Sequence, residues 1–416
     1  MAPTTPALEV ALPPTTYCSG SYVGGEVHIN FRHLQHDKYV QVWVTLRGQA
    51  RSIIKHGNST ECDTIPLLEL TRVLWTYGAE YPPPETDILR LFFRFELPSY
   101  LPPSFYHSSS EGTGAILYCL TVVGVRPGNQ SPRVIHIPIV ILPQDDFYPP
   151  STPPWSSSSL ALQTTVKEKA VRKGLWGDPA TVRVEFSLPD IPVYPLFTPI
   201  PYTIDITTTT AVLFRWGAGA SSSIFPAPPT TAGQFILELV RRTTVRVEDE
   251  EHTFESTVTQ YLGLNRLPSA SVEMDLPDKE WMGVHDPDAN RRAQSGNARG
   301  MWVQRSCLRS SLTLDVPPMF NASDMIECEY FLKLRVPFPG RGNDVELDVP
   351  ITVVSGVIEP RARKEHVPRL QYPCSSGSPL SSEVFLPSEY WDVRGSREWQ
   401  EFTRGIKPSF AHPQRD

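Results

Sequence analysis

The sequence predicts an all-β protein built from two tandem β-sandwich domains. Three observations lead to this prediction: proline is abundant, with 43 residues in a chain of 416; short segments alternate apolar and polar residues; and turn residues separate these segments. Proline lacks the amide donor that a helix interior requires, so this composition argues against a mainly helical fold. Alternation with a period of two is typical of strands that bury one face.

The strand pattern occurs in both halves of the chain. In the first half it covers residues 25–31, 39–46, 91–98, 115–123 and 133–140. In the second half it covers residues 181–186, 202–206, 235–240, 311–317, 326–336 and 345–354. Because a register slip of one residue would turn every apolar side chain outward, the alternation also predicts which face of each strand is buried.

The composition divides the chain into four segments. We expect a first sandwich over residues 8–145 and a second over residues 178–358, because the alternating segments are concentrated there. Residues 146–177 combine prolines, serines and a short basic stretch, which is typical of a linker. Residues 359–416 contain serine, proline and charged residues with little periodicity, and we expect a flexible, disordered tail.

Charge and cysteine usage narrow the class of protein. The net charge of −7 argues against nucleic acid as the main partner, because contacts to phosphates require a basic surface. The six cysteines include no C-x-x-C pair, and no apolar run approaches the ~20 residues that cross a bilayer. The first residues lack the charged start and apolar stretch of a signal peptide. We therefore expect a cytoplasmic protein with free thiols.

Several segments resemble the arrestin family. The run YCSGSYVGGEV (17–27) is similar to the arrestin amino-terminal motif, in which a glycine turn precedes V-x-G-x-V. FRFELP and LPPSF (93–105), followed by GAILYCLTV (114–122), resemble the family's F-x-F-x-L-P…L-P-P-S-F and G-x-I-x-Y-x-L-x-V segment. IECEYFL (326–332) and LDVPI (347–351) resemble the carboxyl-terminal patterns I-x-V-x-Y-x-L and L-x-L-P-I. The resemblance extends over about 8–358 and is strongest to divergent, fungal-type alpha-arrestins, whose domains are immunoglobulin-like sandwiches.

This resemblance implies a non-enzymatic adaptor. Alpha-arrestins bind cytosolic tails of membrane transporters or receptors and recruit HECT-type ubiquitin ligases, so that the cargo is ubiquitinated and enters endocytosis. The family's ligase-binding motif, Pro-Pro-x-Tyr, is missing from this sequence, so a ligase contact is expected to be indirect. The alternative is an arrestin-fold scaffold subunit of an endosomal sorting complex, similar to the arrestin-like subunit of retromer. Either protein would lie in the cytoplasm, peripherally at the plasma membrane or endosomes.

The sequence offers no pattern of a catalytic, cofactor-binding or metal site, and we expect none. H-E-x-x-H, G-x-S-x-G, P-loop and G-x-G-x-x-G patterns do not occur. His33 and His36 lie three residues apart beside Asp37, but the flanking strand patterns indicate a loop with no further ligand nearby. The acidic run at 248–251 is interpreted as a solvated hairpin tip.

A basic loop is the first of two segments predicted to have a function beyond the fold. Residues 290–305 contain four arginines and no acidic residue. Cations near a membrane surface are attracted to anionic lipid headgroups. Arg291, Arg292, Arg299 and Trp302 are therefore candidate lipid contacts, and an insertion without such a role is the alternative.

The second segment, residues 383–393, mixes aromatic, aliphatic and acidic side chains, which is typical of a docking peptide. Phe385, Leu386, Tyr390 and Trp391 are the candidate docking residues. Since arrestin tails pair with the amino-terminal domain, the resemblance implies docking on an exposed sheet edge there. A collapsed terminus is the alternative.

Overall fold

A computed structural model of the chain shows an almost entirely β-stranded molecule, which confirms the all-β sandwich prediction. The structure describes residues 6–13, 16–33, 38–57, 59–128, 130–145, 161–174, 177–214, 224–260, 272–283, 299–356 and 392–405.

The first half forms two main sheets. Its strands are β1 (Leu8–Ala11), β2 (Tyr17–Cys18), β3 (Tyr22–Asn30), β4 (Gln41–His56), β5 (Ser59–Thr76), β6 (Ile88–Glu96), β7 (Phe105–Ser108), β8 (Gly112–Val125), β9 (Arg133–Ile139) and β10 (Ile141–Leu142). Strands β1, β3 and β6 form one antiparallel sheet. Strands β5, β4 and β8 form the other, in which β7 and β9 pair with successive parts of β8. Strand β10 runs parallel to β2.

The second half adds the remaining strands and a helix near the end of the chain. Its strands are β11 (Leu162–Arg172), β12 (Pro179–Pro189), β13 (Tyr194–Pro195), β14 (Ile200–Thr209), β15 (Leu213–Phe214), β16 (Ile236–Val247), β17 (Glu250–Gln260), β18 (Glu273–Asp275), β19 (Glu280–Gly283), β20 (Arg299–Leu312), β21 (Phe320–Ala322), β22 (Ile326–Val336), β23 (Val345–Ile351) and β24 (Val353–Val354). A 3-10 turn, Ala232–Gln234, precedes β16, and another, Asp392–Gly395, precedes the α-helix α1 (Arg397–Arg404).

The order of strand pairing in the first half recurs in the second. Strands β17, β16 and β22 follow the order of β5, β4 and β8, and β21 and β23 both pair with β22 as β7 and β9 pair with β8. Strands β12, β14 and β20 follow the order of β1, β3 and β6, while β13 and β24 repeat the parallel pair β2 and β10. This recurrence is the arrangement that a tandem repeat of one sandwich would give.

The core lies on the faces that the alternation predicts. Along β6 the inward side chains are buried and alternate with exposed ones: Leu89, Leu91, Phe93 and Phe95. They belong to one apolar cluster with side chains of the opposite sheet, such as Leu46 and Tyr118. The Tyr118 hydroxyl donates a hydrogen bond to the Pro102 carbonyl at 2.8 Å, so its polar atom is satisfied at the edge of the core.

Several stretches differ from the sequence-based expectation, among them β5, which no predicted segment covers. Strand β11 lies inside the predicted linker 146–177 and pairs with β12 along its whole length. Its side chains are mostly exposed, so β11 lacks the alternation that reveals a half-buried strand. The strand predicted at 311–317 ends at Leu312, although Leu314 and Val316 remain buried. Residues 392–405, expected to be part of a flexible tail, form the 3-10 turn and α1.

Candidate docking surfaces

Helix α1 begins at a well-formed amino-terminal cap. The Ser396 hydroxyl accepts a hydrogen bond from the Trp399 amide at 3.1 Å, which satisfies one of the free donors at the start of the helix. Arg397 and Glu401, four residues apart, form an ion pair of 2.6 Å along the exposed side. Trp399 and Phe402, three residues apart, therefore share the opposite face and are both buried.

The buried face of α1 packs on the outer face of β8. Trp399 and Phe402, together with Val393 from the preceding turn, form an apolar cluster with Ala115, Leu117 and Cys119. These β8 side chains point away from the sandwich core, because alternate residues of a strand face opposite sides. We call this surface of Ala115, Leu117 and Cys119, with its rim residues Arg51 and Tyr106, the tail groove. It joins two segments that lie almost 300 residues apart in the sequence.

Two polar contacts at the rim fix the register of α1 in the tail groove. The Tyr106 hydroxyl donates to the Glu398 carboxylate at 2.9 Å, and the Arg51 guanidinium donates to the Glu401 carboxylate at 2.5 Å. Burial and the Glu398 carboxylate raise the pKa of Tyr106 to about 12. Hydrogen bonds from Arg397 and Arg51 lower the pKa of Glu401. The stabilisation that Glu401 gains from Arg397 within the helix and from Arg51 across the groove is therefore complete above the ordinary pKa of a glutamate and is lost as the pH falls through the lowered value.

The predicted docking residues of the tail precede this contact. Phe385, Leu386, Tyr390 and Trp391 lie outside the described residues, so their pairing with a sheet edge stays a prediction. The described part of the tail contacts a sheet face, and it does so as a helix. The signals for α1 were a capping serine, a pair of aromatic residues three apart and a charged pair four apart, all within residues 396–402.

A second surface lies between the two halves, where β7 meets strands of the second half. The Phe105 ring contacts the Phe320 ring edge-on with centroids 4.9 Å apart, and the His107 ring lies 4.7 Å from that of Phe254. The Nδ1 atom of His107 lies 2.8 Å from the Thr243 hydroxyl. Burial, and secondarily the neighbouring Arg241, lowers the pKa of His107 to about 3. The imidazole is therefore neutral at neutral pH and acts as a hydrogen-bonding core residue.

Histidine–carboxylate contacts extend this surface toward the hairpin of β16 and β17, whose tip is the predicted acidic run. Glu250 lies 2.6 Å from His56 Nε2, and Glu111 lies 3.0 Å from His252 Nε2. The ligand atoms of His56, Glu61 and Glu250 lie within 4.8 Å of one another. Imidazole and carboxylate groups are zinc ligands, so these three residues could hold such an ion. All three are exposed, and the His56–Glu250 pair is satisfied without one.

A third surface is open to solvent on the outer face of the sheet of β1, β3 and β6. Tyr22 and Phe92 are 45% and 62% exposed, and the Arg94 guanidinium lies 3.4 Å above the Tyr22 ring centroid. Gly24 lies between them with no side chain to fill the surface. With Arg72 these residues line a groove of about 870 Å³, which we call the outer-face groove. Aromatic and guanidinium groups in such a groove suit peptides with apolar and acidic side chains.

The predicted basic loop is a strand from Arg299 onward. Arg299 and Trp302 lie in β20, where the Trp302 ring contacts Trp281 of β19 with centroids 5.2 Å apart and Lys279 lies over its face. The prediction of a loop is therefore wrong for residues 299–305, because cross-strand aromatic packing holds them in the sheet. Arg291 and Arg292 lie outside the described residues, as do His36 and Asp37 beside His33. Lipid contact by the arginines and Trp302 stays a prediction.

In the part of the chain that the structure describes, no helix combines the length and apolarity needed to cross a bilayer. Among the described cysteines, Cys18, Cys62, Cys119, Cys307 and Cys328 form no disulfide. A scan of the sequence against protein-family models and a search of curated proteins both found no match.

Proposed function

We propose that the chain is a non-enzymatic, arrestin-like adaptor that links membrane cargo to ubiquitination and endocytic trafficking. The recurrence of one strand-pairing order in both halves supports this proposal, because it agrees with the two-domain architecture that the arrestin-like motifs predict. A fold alone does not define a function, so the proposal also requires a surface that binds a partner.

The outer-face groove is the surface that we assign to cargo. Its aromatic rings, Tyr22 and Phe92, are exposed to solvent on a strand face. Exposed apolar patches of this kind typically mark protein contacts. Two arginines, Arg72 and Arg94, and one carboxylate, Glu26, line the same groove, so its net charge is positive. A cytosolic peptide with an aromatic or aliphatic side chain beside an acidic one would match both features.

Proximity labelling in cells tests the function and the surface together. The full-length chain is compared with a variant carrying Phe92→Ser and Arg94→Glu, and with a control carrying Val166→Ser, an exposed position of β11. We expect the unaltered chain and the control to label membrane transporters or receptors and a HECT-type ligase, and the groove variant to lose the cargo. Labelling of coat or sorting-complex subunits in place of cargo and ligase would favour the scaffold alternative and contradict the adaptor proposal.

A further inference from the structure

Strand β8 is buried on both of its faces. Every residue of Gly112–Val125 is buried, although β8 belongs to a sheet whose outer face is otherwise open to solvent at many positions of β5. The inner face packs in the sandwich core, and α1 covers the outer face around Ala115, Leu117 and Cys119. Small side chains at Ala115 and Cys119 leave room for two aromatic rings.

Helix α1 depends on this contact for its own structure. It contains 8 residues, and isolated helices shorter than about 12 residues are marginal in water. Its apolar face carries two aromatic side chains that would be exposed if it left the groove. Residues 355–391 join β24 to the turn before α1, so α1 is covalently tethered to the sheet that it covers.

We propose that the tail groove is a binding site for an amphipathic helix of another protein, and that α1 occupies this site in the free chain. The groove would bind such a helix whether or not the chain is an adaptor. Helix-in-groove recognition depends on apolar anchors three or four residues apart, which is the arrangement of Trp399 and Phe402.

The contacts of α1 specify the chemistry of that partner. Two aromatic anchors at positions i and i+3 fill the apolar floor. One carboxylate directly before the first anchor accepts the bond from Tyr106, and another directly before the second anchor meets Arg51. The groove therefore selects an acidic, aromatic helix with the pattern Glu-Trp-x-Glu-Phe. A basic helix would place a like charge against Arg51 and would be disfavoured.

Tethering makes α1 a competitor that a suitable partner can displace. A ligand joined to its site through the same chain competes at an effective concentration in the millimolar range or below. A partner helix that is longer or already folded loses less conformational freedom on binding than an 8-residue helix that must fold in the groove. Such a partner can therefore replace α1 at concentrations well below that effective concentration.

Binding of a labelled peptide to the full-length chain tests this proposal. The probe is a fluorescent peptide of residues 392–405, measured by anisotropy against the unaltered chain and against a variant carrying Trp399→Ser and Phe402→Ser, whose own tail cannot dock. We expect the variant to bind the peptide about ten-fold or more tightly, because its groove is empty. A staple between Gln400 and Arg404, both exposed and four residues apart, should tighten binding further by preorganising the helix.

A charge reversal controls for nonspecific apolar binding. Adding Arg51→Glu to the Trp399→Ser, Phe402→Ser chain should lower its affinity for the unaltered peptide. A peptide carrying Arg397→Glu and Glu401→Arg should restore the affinity. Far-UV circular dichroism and a denaturant midpoint establish that each chain is folded before binding is measured. The proposal would be overturned if the peptide bound the unaltered chain and the Trp399→Ser, Phe402→Ser variant with equal affinity. It would also be overturned if the charge reversal left the affinity unchanged.

Discussion

At the scale of single residues, His107 couples the contact between the two halves to pH. Its folded-state pKa is about 3, whereas the unfolded chain binds a proton near the ordinary value of 6.5. Between these values the unfolded state holds more protons than the folded state, so stability is complete above 6.5 and decreases as the pH falls.

We expect the free energy of unfolding to fall by about 2 kcal/mol between pH 7.5 and pH 5 through His107, since 1.5 pH units below 6.5 correspond to roughly that amount. A His107→Gln variant keeps a hydrogen-bonding group for Thr243 but cannot titrate. Urea unfolding at both pH values checks this. The free energy of unfolding of the variant should decrease less between pH 7.5 and pH 5 than that of the unaltered chain. An identical pH dependence in both chains would contradict a neutral, buried imidazole.

Gly48 is the second residue whose role the packing defines. A methyl group added there would come within 2.5 Å of two carbon atoms of the Tyr118 ring on the neighbouring strand β8. We expect Gly48→Ala to destabilise the fold by about 1–3 kcal/mol, because an overpacked core shifts side chains and backbone. Gly233→Ala is the matched control, since Gly233 has open space around it and should change stability by less than about 0.5 kcal/mol. Equal denaturant midpoints for the two variants would contradict the close contact.

At the scale of elements, the sequence predicts strands better than it predicts what covers them. Alternation gives the bounds of β22 as the structure has them, because every second residue of Ile326–Val336 is buried. It fails for β11, whose two faces are both largely exposed. For β8 it predicts a strand at residues 115–123 but does not predict that both faces are buried. Only a periodic difference between faces leaves a signal, so the tail groove could not be found from the pattern of β8.

Helix α1 was missed for a related reason. Its 8 residues span about two turns, too short for a helical period to be distinguished from the charged and polar residues around it. The cap at Ser396 and the aromatic pair are local signals, but neither says which surface the helix covers. That surface depends on Arg51, Tyr106 and Leu117, which are far away in the sequence.

Labelling of Cys119 measures how often α1 leaves the groove. Cys119 is fully buried beneath the helix, whereas Cys62 is exposed. Ser396→Ala removes the helix cap and should destabilise docked α1 by about 1 kcal/mol. The population with α1 undocked, and with it the labelling rate of Cys119, should then rise about five-fold. Mass spectrometry of thiol-modified peptides checks this, with Cys62 as the internal control. A Cys119 rate that does not change while α1 is destabilised would show that the helix does not protect this face.

At the scale of the whole molecule, the two halves repeat one strand order but differ at their outer faces. The sequence predicts the paired blocks and their cores, because apolar alternation and turn residues are local properties. The contacts between the halves, such as Ser52 donating to the Arg246 carbonyl at 2.7 Å, join residues whose types are common on any strand. Their partners are set by the topology, so no local pattern could predict them.

The two proposed binding surfaces are both faces of β-sheets. The outer-face groove is open, and the tail groove is filled by the chain's own helix. Both proposals therefore depend on sheet faces of the first half as the binding surfaces.

Photo-crosslinking from the tail tests this description most directly. A benzophenone amino acid replaces Phe402 in the full-length chain, and the crosslinked peptides are mapped by mass spectrometry at low protein concentration. We predict intramolecular crosslinks to Gly112–Val125 and to Tyr106 beside it. Crosslinks to the sheet of β1, β3 and β6, to the second half, or to no single site would contradict the docking of α1 on β8.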